Sequence, residues 1–251
     1  MSDRHRVYGE RINIKTENTR SFYDERAKAI ASMANPYVAV LLGDQNPGHA
    51  EEWNRYEKQF ILPELQISRT SRVLDIGCGI GRWAESIIPL SGYYCGTDFS
   101  SEMVETARKR NHFAGKAYDF YNLSFQETVR QSTGYYKGRF DRLIVGGVCM
   151  YINDDELPTC YEGLLPLLDE HCVIYFTETV AVENRLTLDE CPSEALRTSY
   201  DVIYRTPEEY IQHYKAFTDA GFRVREQKYL PHLNKEKQYY ETDRWYTLLE
   251  R

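Results

Sequence analysis

The stretch 72–83, RVLDIGCGIGRW, constrains the fold more than any other part of the chain. Its apolar run at 73–76 is typical of a buried parallel strand. Three glycines follow at alternate positions: Gly77, Gly79 and Gly81. Glycine adopts positive φ and lets a ligand approach the backbone closely. The next residues have apolar side chains at helical spacing, so the stretch predicts a strand, a tight turn and a helix, as in the first βα unit of a nucleotide-binding α/β fold.

Charged residues around this turn indicate which nucleotide it would bind. Asp75 precedes the first glycine by two residues, where it would repel a pyrophosphate but suits a ligand with a cationic amino-acid end. Asp98 ends a second predicted strand and lies 21 residues after Gly77, near the offset at which a carboxylate binds a ribose diol. Arg82 stands where a dinucleotide site has its third glycine. These residues favour S-adenosylmethionine over a nicotinamide cofactor.

The glycine turn with its preceding Asp75, the strand that ends at Asp98 and an apolar strand at 140–146 together resemble class I S-adenosylmethionine-dependent methyltransferases of the small-molecule type. The resemblance covers roughly residues 68–251. It implies a doubly wound α/β fold whose seven-stranded, mostly parallel sheet has the order 3-2-1-4-5-7-6, with strand 7 antiparallel. It also implies S-adenosylmethionine as cofactor and S-adenosylhomocysteine as product.

Two domains are predicted. Residues 1–66 would form an N-terminal helical cap over the active site, with a helix that begins at Thr19 as its N-cap. Residues 67–251 would form the Rossmann-like domain, in which Ser100 caps the helix after the second strand. A long connection without clear period at about 179–206 is predicted to be a substrate loop, because long loops inside compact domains are usually functional.

The resemblance also implies a set of residues around the cofactor. The sequence FYDERA around Tyr23 resembles the entry helix of small-molecule methyltransferases, where an aromatic side chain covers the methionine end; helix packing is the alternative. Asn122 or Ser124 would reach the adenine, with a turn-forming role as the alternative for Asn122. The predicted cofactor-binding residues are Tyr23, Asp75, Gly77, Gly79, Gly81, Asp98, Phe99, Asn122, Ser124 and Val148.

Candidates for catalysis follow from the chemistry of methyl transfer. Holding the acceptor in line with the methyl group supplies much of the rate, and a base is needed only for a hydroxyl of high pKa. Glu178, after the fifth strand, and His232, after the sixth, are the predicted bases. The alternatives are a salt bridge at a strand end for Glu178 and a solvated loop position for His232. The predicted substrate-binding residues are Tyr151, Tyr200 and Tyr204.

Composition and charge limit the kinds of partner and the compartment that are expected for this chain. The 251 residues carry a formal net charge of −7 and no long basic run, which argues against a broad nucleic-acid-binding face. No apolar stretch approaches the length of a membrane span, and no secretory signal is evident at the N-terminus. The six cysteines form no C-x-x-C pair, so reduced thiols in a cytoplasmic protein are expected, and no metal site is predicted.

The sequence therefore predicts a cytoplasmic methyltransferase that transfers a methyl group to oxygen or nitrogen of a small polar metabolite, such as a sugar or a natural-product intermediate. One alternative is a protein or RNA methyltransferase, which a basic patch around the pocket would favour. Another is a non-catalytic S-adenosylmethionine-binding regulatory protein without an acceptor pocket. The identity of the acceptor and the oligomeric state stay open.

Overall fold

The structure is a computed structural model, and it describes residues 5–41, 47–193, 198–231 and 241–251. Within these ranges the strands are β1 (Arg6–Tyr8), β2 (Arg72–Ile76), β3 (Tyr93–Asp98), β4 (Tyr118–Asn122), β5 (Phe140–Gly146), β6 (Leu168–Ala181), β7 (Leu186–Ser193), β8 (Thr198–Tyr204), β9 (Arg223–Tyr229) and β10 (Thr242–Glu250). The α-helices of the same ranges are α1 (Thr16–Ala29), α2 (Val38–Leu41), α3 (Pro47–Ile61), α4 (Ala84–Ile87), α5 (Ser101–Arg110), α6 (Phe125–Arg130), α7 (Leu157–Leu164), α8 (Pro207–His213) and α9 (Lys215–Asp219). Short 3-10 turns lie at Ile30–Ser32, Cys149–Tyr151 and Leu165–Leu167.

The larger sheet has seven strands in the order β4-β3-β2-β5-β6-β10-β9. The strands from β4 to β6 run parallel, and β10 runs antiparallel to both β6 and β9. Numbered within the sheet, this order is 3-2-1-4-5-7-6, so the predicted doubly wound fold is confirmed. Because the crossover helices cover both faces, the central strands are apolar almost throughout and buried.

Each face of the sheet packs against its own set of helices. One face contacts α6, α7 and α9 through Phe125, Tyr161 and Phe217. The opposite face contacts α3 and α5, with Trp53 and Val104 among its buried residues. The two clusters give the sheet a core on both sides, which fixes the carboxyl ends of the parallel strands at one edge.

A second, smaller sheet contains β1, β7 and β8, with β7 in the middle and all pairs antiparallel. The helix α1 packs against β8. The prediction of an irregular connection at 179–206 was therefore wrong, because β7 and β8 pair as a hairpin. The alternation of apolar and polar residues that identifies a strand is interrupted here, because Leu186, Thr187 and Leu188 are all buried and the register shifts between Leu188 and Cys191.

The predicted helix caps had different outcomes. Ser100 caps α5, since its hydroxyl accepts a hydrogen bond from the Met103 backbone N–H at 3.1 Å. Thr19 does not cap α1, which begins three residues earlier after Lys15. The hydroxyl of Thr19 is buried and donates to the Asp201 backbone carbonyl on β8 at 3.1 Å, so it ties the helix to the smaller sheet.

Within the part of the chain that the structure describes, no helix has the length and the apolar character needed to cross a bilayer. All six cysteines lie in the described ranges, and no disulfide bond joins any two of them there.

Candidate functional site

A cleft of about 1300 Å³, which includes space open to solvent, lies at the carboxyl ends of the parallel strands. Open α/β sheets bind their ligands at this edge. The lining residues come from 75–79, 82–83, 98–99, 123–126, 146–148, 150–152 and 177–179, together with Thr16, Tyr23, Val40, Leu41, Met103 and Arg244. The cleft therefore contains parts of the larger sheet, the glycine turn, the N-terminal helices and the start of β10.

The glycine turn after β2 forms the middle of the cleft. Gly77 has a φ of +72° and Gly79 a φ of +51°, in the left-handed region that favours glycine. A Cβ on Gly77 would lie 2.1 Å from a methyl carbon of Val148, and one on Gly79 would lie 2.8 Å from a methyl carbon of Val40. The loop after β5 and the helix α2 thus close directly on the turn, which only residues without a side chain allow.

Asp98, at the end of β3, is held by the backbone around it. Its two carboxylate oxygens accept hydrogen bonds from the N–H groups of Gly79 and Ser100, each at 2.9 Å. Burial raises the pKa of Asp98 to about 6, although both N–H bonds oppose the rise. Phe99 follows it in the cleft wall, with its ring centroid 6.3 Å from that of Tyr23. The carboxylate is therefore fixed in direction, with an aromatic surface beside it.

Asp75 and Arg82 place opposite charges close together in the cleft. Asp75 accepts a hydrogen bond from the Tyr94 hydroxyl at 2.5 Å, and burial raises its pKa to about 7. The positive charge of Arg82 acts against this rise. Arg82 is itself ion-paired with the fully buried Glu57 at 2.8 Å. A ligand with both an ammonium and a carboxylate would find complementary groups here.

Glu178, on β6, holds the loop that follows β5. Its carboxylate accepts hydrogen bonds from the backbone N–H groups of Val148, Cys149 and Met150, at 3.2, 2.9 and 3.4 Å. Burial raises the pKa of Glu178 to about 7. The carboxylate therefore closes the N-terminal side of the Cys149–Tyr151 turn, and among the described residues no ion pair forms at this strand end.

Arg205 holds the same loop from its other side. The guanidinium donates to the backbone carbonyls of Cys149 and Ile152, at 2.7 and 2.6 Å, and to a carboxylate oxygen of Asp154 at 2.7 Å. Arg205 is fully buried. Glu178 and Arg205 together satisfy the N–H and C=O groups of a loop that lines the cleft, so they fix the position of Tyr151 within it.

Three tyrosine hydroxyls form a row of hydrogen bonds that begins in the wall of the cleft. Tyr23 and Tyr151 lie 2.7 Å apart at their hydroxyl oxygens, and Tyr151 and Tyr200 lie 2.8 Å apart. Burial raises the pKa of Tyr23 to about 12. These tyrosine hydroxyls are therefore uncharged near neutral pH, and they can donate or accept hydrogen bonds without acting as bases.

The predicted site residues divide by location. Ten of them line the cleft: Tyr23, Asp75, Gly77, Gly79, Asp98, Phe99, Ser124, Val148, Tyr151 and Glu178. Tyr200 reaches the cleft through the hydroxyl of Tyr151. Tyr204 packs in the apolar cluster behind that pair. His232 lies outside the described residues.

Two predicted cofactor ligands are not brought into the cleft. The exposed Asn122 turns its amide back to donate to the backbone carbonyls of Asp98 and Phe99, each at 3.0 Å. Gly81 packs against the side chain of Asn111, outside the lining. Asn122 thus braces the turn that carries Asp98, which agrees with the turn-forming alternative.

Sequence reasoning missed several lining residues. Arg82 follows the glycine turn directly, and this position was the signal that could have identified it. Trp83 and Met103 also line the cleft, and each is an apolar residue in or directly beside a helix. Arg244 carried no local signal, because it lies on the last strand and reaches the cleft only through the pairing of β10 with β6.

A family model described as a methyltransferase domain matches residues 73–171 of this chain. This segment extends from β2 into β6, and it contains the glycine turn, Asp98 and the loop after β5. Residues 73–171 of the chain are therefore similar to a methyltransferase domain. The seven-stranded sheet and the cleft at the carboxyl ends of its parallel strands include this segment.

Curated relatives and solved structures extend this similarity. Phosphoethanolamine N-methyltransferase 1 of Caenorhabditis elegans is 21% identical over 168 residues, which cover 67% of this chain and 32% of that protein. The ubiquinone biosynthesis O-methyltransferase of Xanthomonas euvesicatoria pv. vesicatoria (strain 85-10) is 27% identical over 114 residues, covering 45% of this chain and 46% of that protein. The methyltransferase domain thus resembles N- and O-methyltransferases alike.

A solved structure of Haemonchus contortus phosphoethanolamine N-methyltransferase 1, in complex with phosphoethanolamine and S-adenosylhomocysteine, matches with a TM-score of 0.67 at 18% identity. The match covers 94% of this chain and 50% of that one. At this identity the likeness concerns the fold. The alignments span about a third to a half of the two curated relatives.

Proposed function

We propose that this chain binds S-adenosylmethionine in the cleft and transfers its methyl group to oxygen or nitrogen of a small polar metabolite. The observation that supports the proposal most strongly is the position and orientation of the Asp98 carboxylate. This carboxylate ends β3, is oriented by two N–H groups and lies beside the glycine turn of a methyltransferase domain. A carboxylate at this place suits the two hydroxyls of a ribose.

The residues present fit the cofactor along its length. Asp98 would accept hydrogen bonds from the ribose hydroxyls, and Phe99 and Met103 supply apolar surface for the adenine. Asp75 and Arg82 would face the ammonium and the carboxylate of the methionine end. The close contact of Gly77 with Val148 leaves the backbone of the turn exposed to the cleft without a side chain in the way.

The protein's own residues would mainly orient the acceptor. When bound, S-adenosylmethionine supplies an electrophilic methyl group on a sulfonium. The hydroxyls of Tyr23 and Tyr151 in the cleft wall are neutral and can hold a polar acceptor by hydrogen bonds. Glu178 remains the candidate base, but three backbone N–H groups already bind its carboxylate. This arrangement favours an acceptor that attacks without a strong base, such as a neutral amine or an ionised oxygen.

The helix and the strand that carry Tyr23 and Tyr200 would enclose a small acceptor. The helix α1 places Tyr23 in the cleft, and β8 places Tyr200 next to Tyr151. We therefore retain the N-terminal segment 1–66 as a cap and assign the β7–β8 hairpin, rather than a loop, to the substrate side. The names of the relatives, a phosphoethanolamine and a ubiquinone-biosynthesis enzyme, support a small-molecule acceptor.

Calorimetric titration with S-adenosylhomocysteine tests the cofactor half of the proposal. The wild-type chain should bind it with micromolar affinity. Asp98→Asn should weaken binding at least tenfold, because the amide keeps the shape but cannot accept from two N–H groups and two hydroxyls. Asp219→Asn, the same change at an exposed position of α9, is the matched control and should bind normally. Thermal melts would show that each variant is folded.

An assay of S-adenosylhomocysteine release from S-adenosylmethionine, with panels of small amines, phenols, sugars and phosphorylated alcohols, tests the transfer half. Turnover with a small molecule supports the proposal. Binding without turnover on any panel would favour the non-catalytic regulatory alternative, and turnover only with protein or RNA would favour the macromolecular one. Absence of binding by the wild-type chain would refute the proposal as a whole.

A further inference from the structure

We propose that Arg244 binds an oxyanion group of the methyl acceptor, a carboxylate or a phosphate, and so selects acidic small molecules. This inference rests on the proposed function, because it assigns the acceptor side of the same cleft. It specifies a substrate class that the glycine turn and Asp98 leave open.

Arg244 enters the cleft from the strand beside β6. It pairs in register with Thr179, directly after Glu178, and its side chain is part of the cleft lining. The guanidinium carbon lies 4.8 Å from the centre of the Trp53 ring, so one face of the group is packed on an aromatic surface. Burial lowers the pKa of Arg244, as expected for a cation removed from water.

The groups around Arg244 leave its charge without an acidic partner. In the described ranges its side chain has no hydrogen-bond acceptor and no ion pair. Glu57, the acid whose charge acts on Arg244, is already ion-paired with Arg82 at 2.8 Å and accepts from the Tyr175 hydroxyl at 3.0 Å. Tyr151, also nearby, is a neutral phenol whose pKa burial raises. Arg244 is half-buried. A partly desolvated cation without an ion-pair partner is unfavourable, and a bound anion would relieve that penalty.

The position of Arg244 in the sheet assigns this anion to the acceptor. Asp98 ends β3, and β2, β5 and β6 lie between β3 and β10. Four strand spacings correspond to about 19 Å across the edge of the sheet. With the ribose at Asp98 and the amino-acid end at Asp75 on β2, the cofactor occupies the β3–β2 side. Arg244 enters the cleft from β10, beyond β5 and β6, where an acceptor would approach, and Arg82 is near enough for its charge to act on Arg244.

The chemistry of a guanidinium defines the class of group that it would recognise. Its planar set of donors matches the paired oxygens of a carboxylate or a phosphate in a bidentate contact. Stacking on Trp53 restricts rotation of the group, which leaves its edge for the ligand. The acceptor should therefore carry its anionic group at one end and its nucleophilic atom toward Tyr151 and Glu178.

The test uses the chain saturated with S-adenosylhomocysteine, so that the cofactor side is filled, and titrates it with inorganic phosphate and separately with acetate. Wild type should bind at least one anion in the millimolar range. Arg244→Gln should weaken this binding at least tenfold. Arg244→Lys, which keeps the positive charge but not the planar pair of donors, should have an intermediate affinity. Arg223→Gln is the matched control, since Arg223 is an exposed arginine of β9 outside the cleft. Preference for phosphate or for acetate separates phosphorylated from carboxylated acceptors.

Three outcomes would overturn the inference. The first is equal anion affinity in Arg244→Gln and wild type, and the second is no anion binding by the saturated wild type. The third is a tenfold loss of S-adenosylhomocysteine affinity in Arg244→Gln, which would assign Arg244 to the cofactor carboxylate and leave the proposed function intact. Failure of wild type to bind S-adenosylhomocysteine is a separate result, which removes the proposed function itself. If Arg244→Gln fails to fold by thermal melt, the comparison of Arg244→Lys with wild type decides.

Discussion

Replacing Glu178 with glutamine should remove a pH dependence from the stability of this chain. The carboxyl group is buried, and the three backbone N–H groups that it binds only partly compensate for its loss of water. Burial raises its pKa to about 7, from an ordinary value of 4.5. The folded chain therefore keeps a proton between pH 4.5 and 7 that the unfolded chain has released.

The sign and size of the effect follow from this difference. Where the folded state binds more protons, the free energy of unfolding falls as the pH rises. The contribution of Glu178 is therefore fully present below pH 4.5, declines as the pH rises toward 7 and is lost above it. At about 1.4 kcal/mol per pH unit, the total change is roughly 3 kcal/mol. Glutamine is neutral at every pH and resembles the protonated acid, so it lacks this decline.

The assay is urea denaturation of wild type and Glu178→Gln at several pH values from 4 to 8.5. The difference in the free energy of unfolding, variant minus wild type, should increase by roughly 3 kcal/mol between pH 4.5 and 8. Asp75 and Asp98 also titrate in this range, but they do so in both proteins and cancel in the difference. Glu208→Gln, at an exposed position of α8, controls for the charge change itself.

A difference that stays constant from pH 4.5 to 8 would refute the reasoning, because it would mean that the three N–H bonds offset burial completely. A difference that decreases with pH would mean that these bonds outweigh burial. The same variant tests the function of the loop. If Glu178 positions the loop, Glu178→Gln should lower kcat/KM without changing the shape of the pH profile. Loss of the fall in kcat on the acidic side, below about pH 7, would instead identify Glu178 as the base.

Three further substitutions test the architecture of the cleft. Gly77→Ala should destabilise the chain by roughly 2–5 kcal/mol, because it combines a positive φ with a Cβ that meets Val148; Gly115→Ala, at a similar φ of +73° in open space, should lose much less in the same denaturation experiment. Tyr151→Phe removes the hydrogen bonds to the hydroxyls of Tyr23 and Tyr200, so it should lower stability by about 1–3 kcal/mol and reduce turnover. Unchanged melting temperatures and rates would contradict a role for these three hydroxyls in the cleft. Arg205→Met removes the side-chain donor to the Ile152 carbonyl and one of two partners each from the Cys149 carbonyl and Asp154, so it should lower stability by roughly 1–3 kcal/mol; a melting temperature equal to that of wild type would show that the loop is held by other contacts.

The sequence alone determined the elements that depend on interactions between residues close together in the chain. The apolar run of β2, the glycine turn and Asp98 depend on local hydrophobicity, backbone freedom and spacing. The strand β5 was predicted with its observed bounds, since an almost uninterrupted apolar segment fits only a strand covered on both faces. The cap at Ser100 was predicted for the same reason, because a cap bonds an N–H three residues away.

Tertiary structure decided what depends on pairing between distant segments. Glu178 binds N–H groups about 30 residues before it, and Arg205 binds a carbonyl 56 residues away, so neither role has a local signature. The hairpin β7–β8 escaped detection because its register shift breaks the period that identifies a strand. Asn122 turned to the backbone and Arg244 entered the cleft through strand order alone. Side-chain patterns specify local backbone geometry, whereas the direction and partners of a polar group at a site depend on which strands become neighbours.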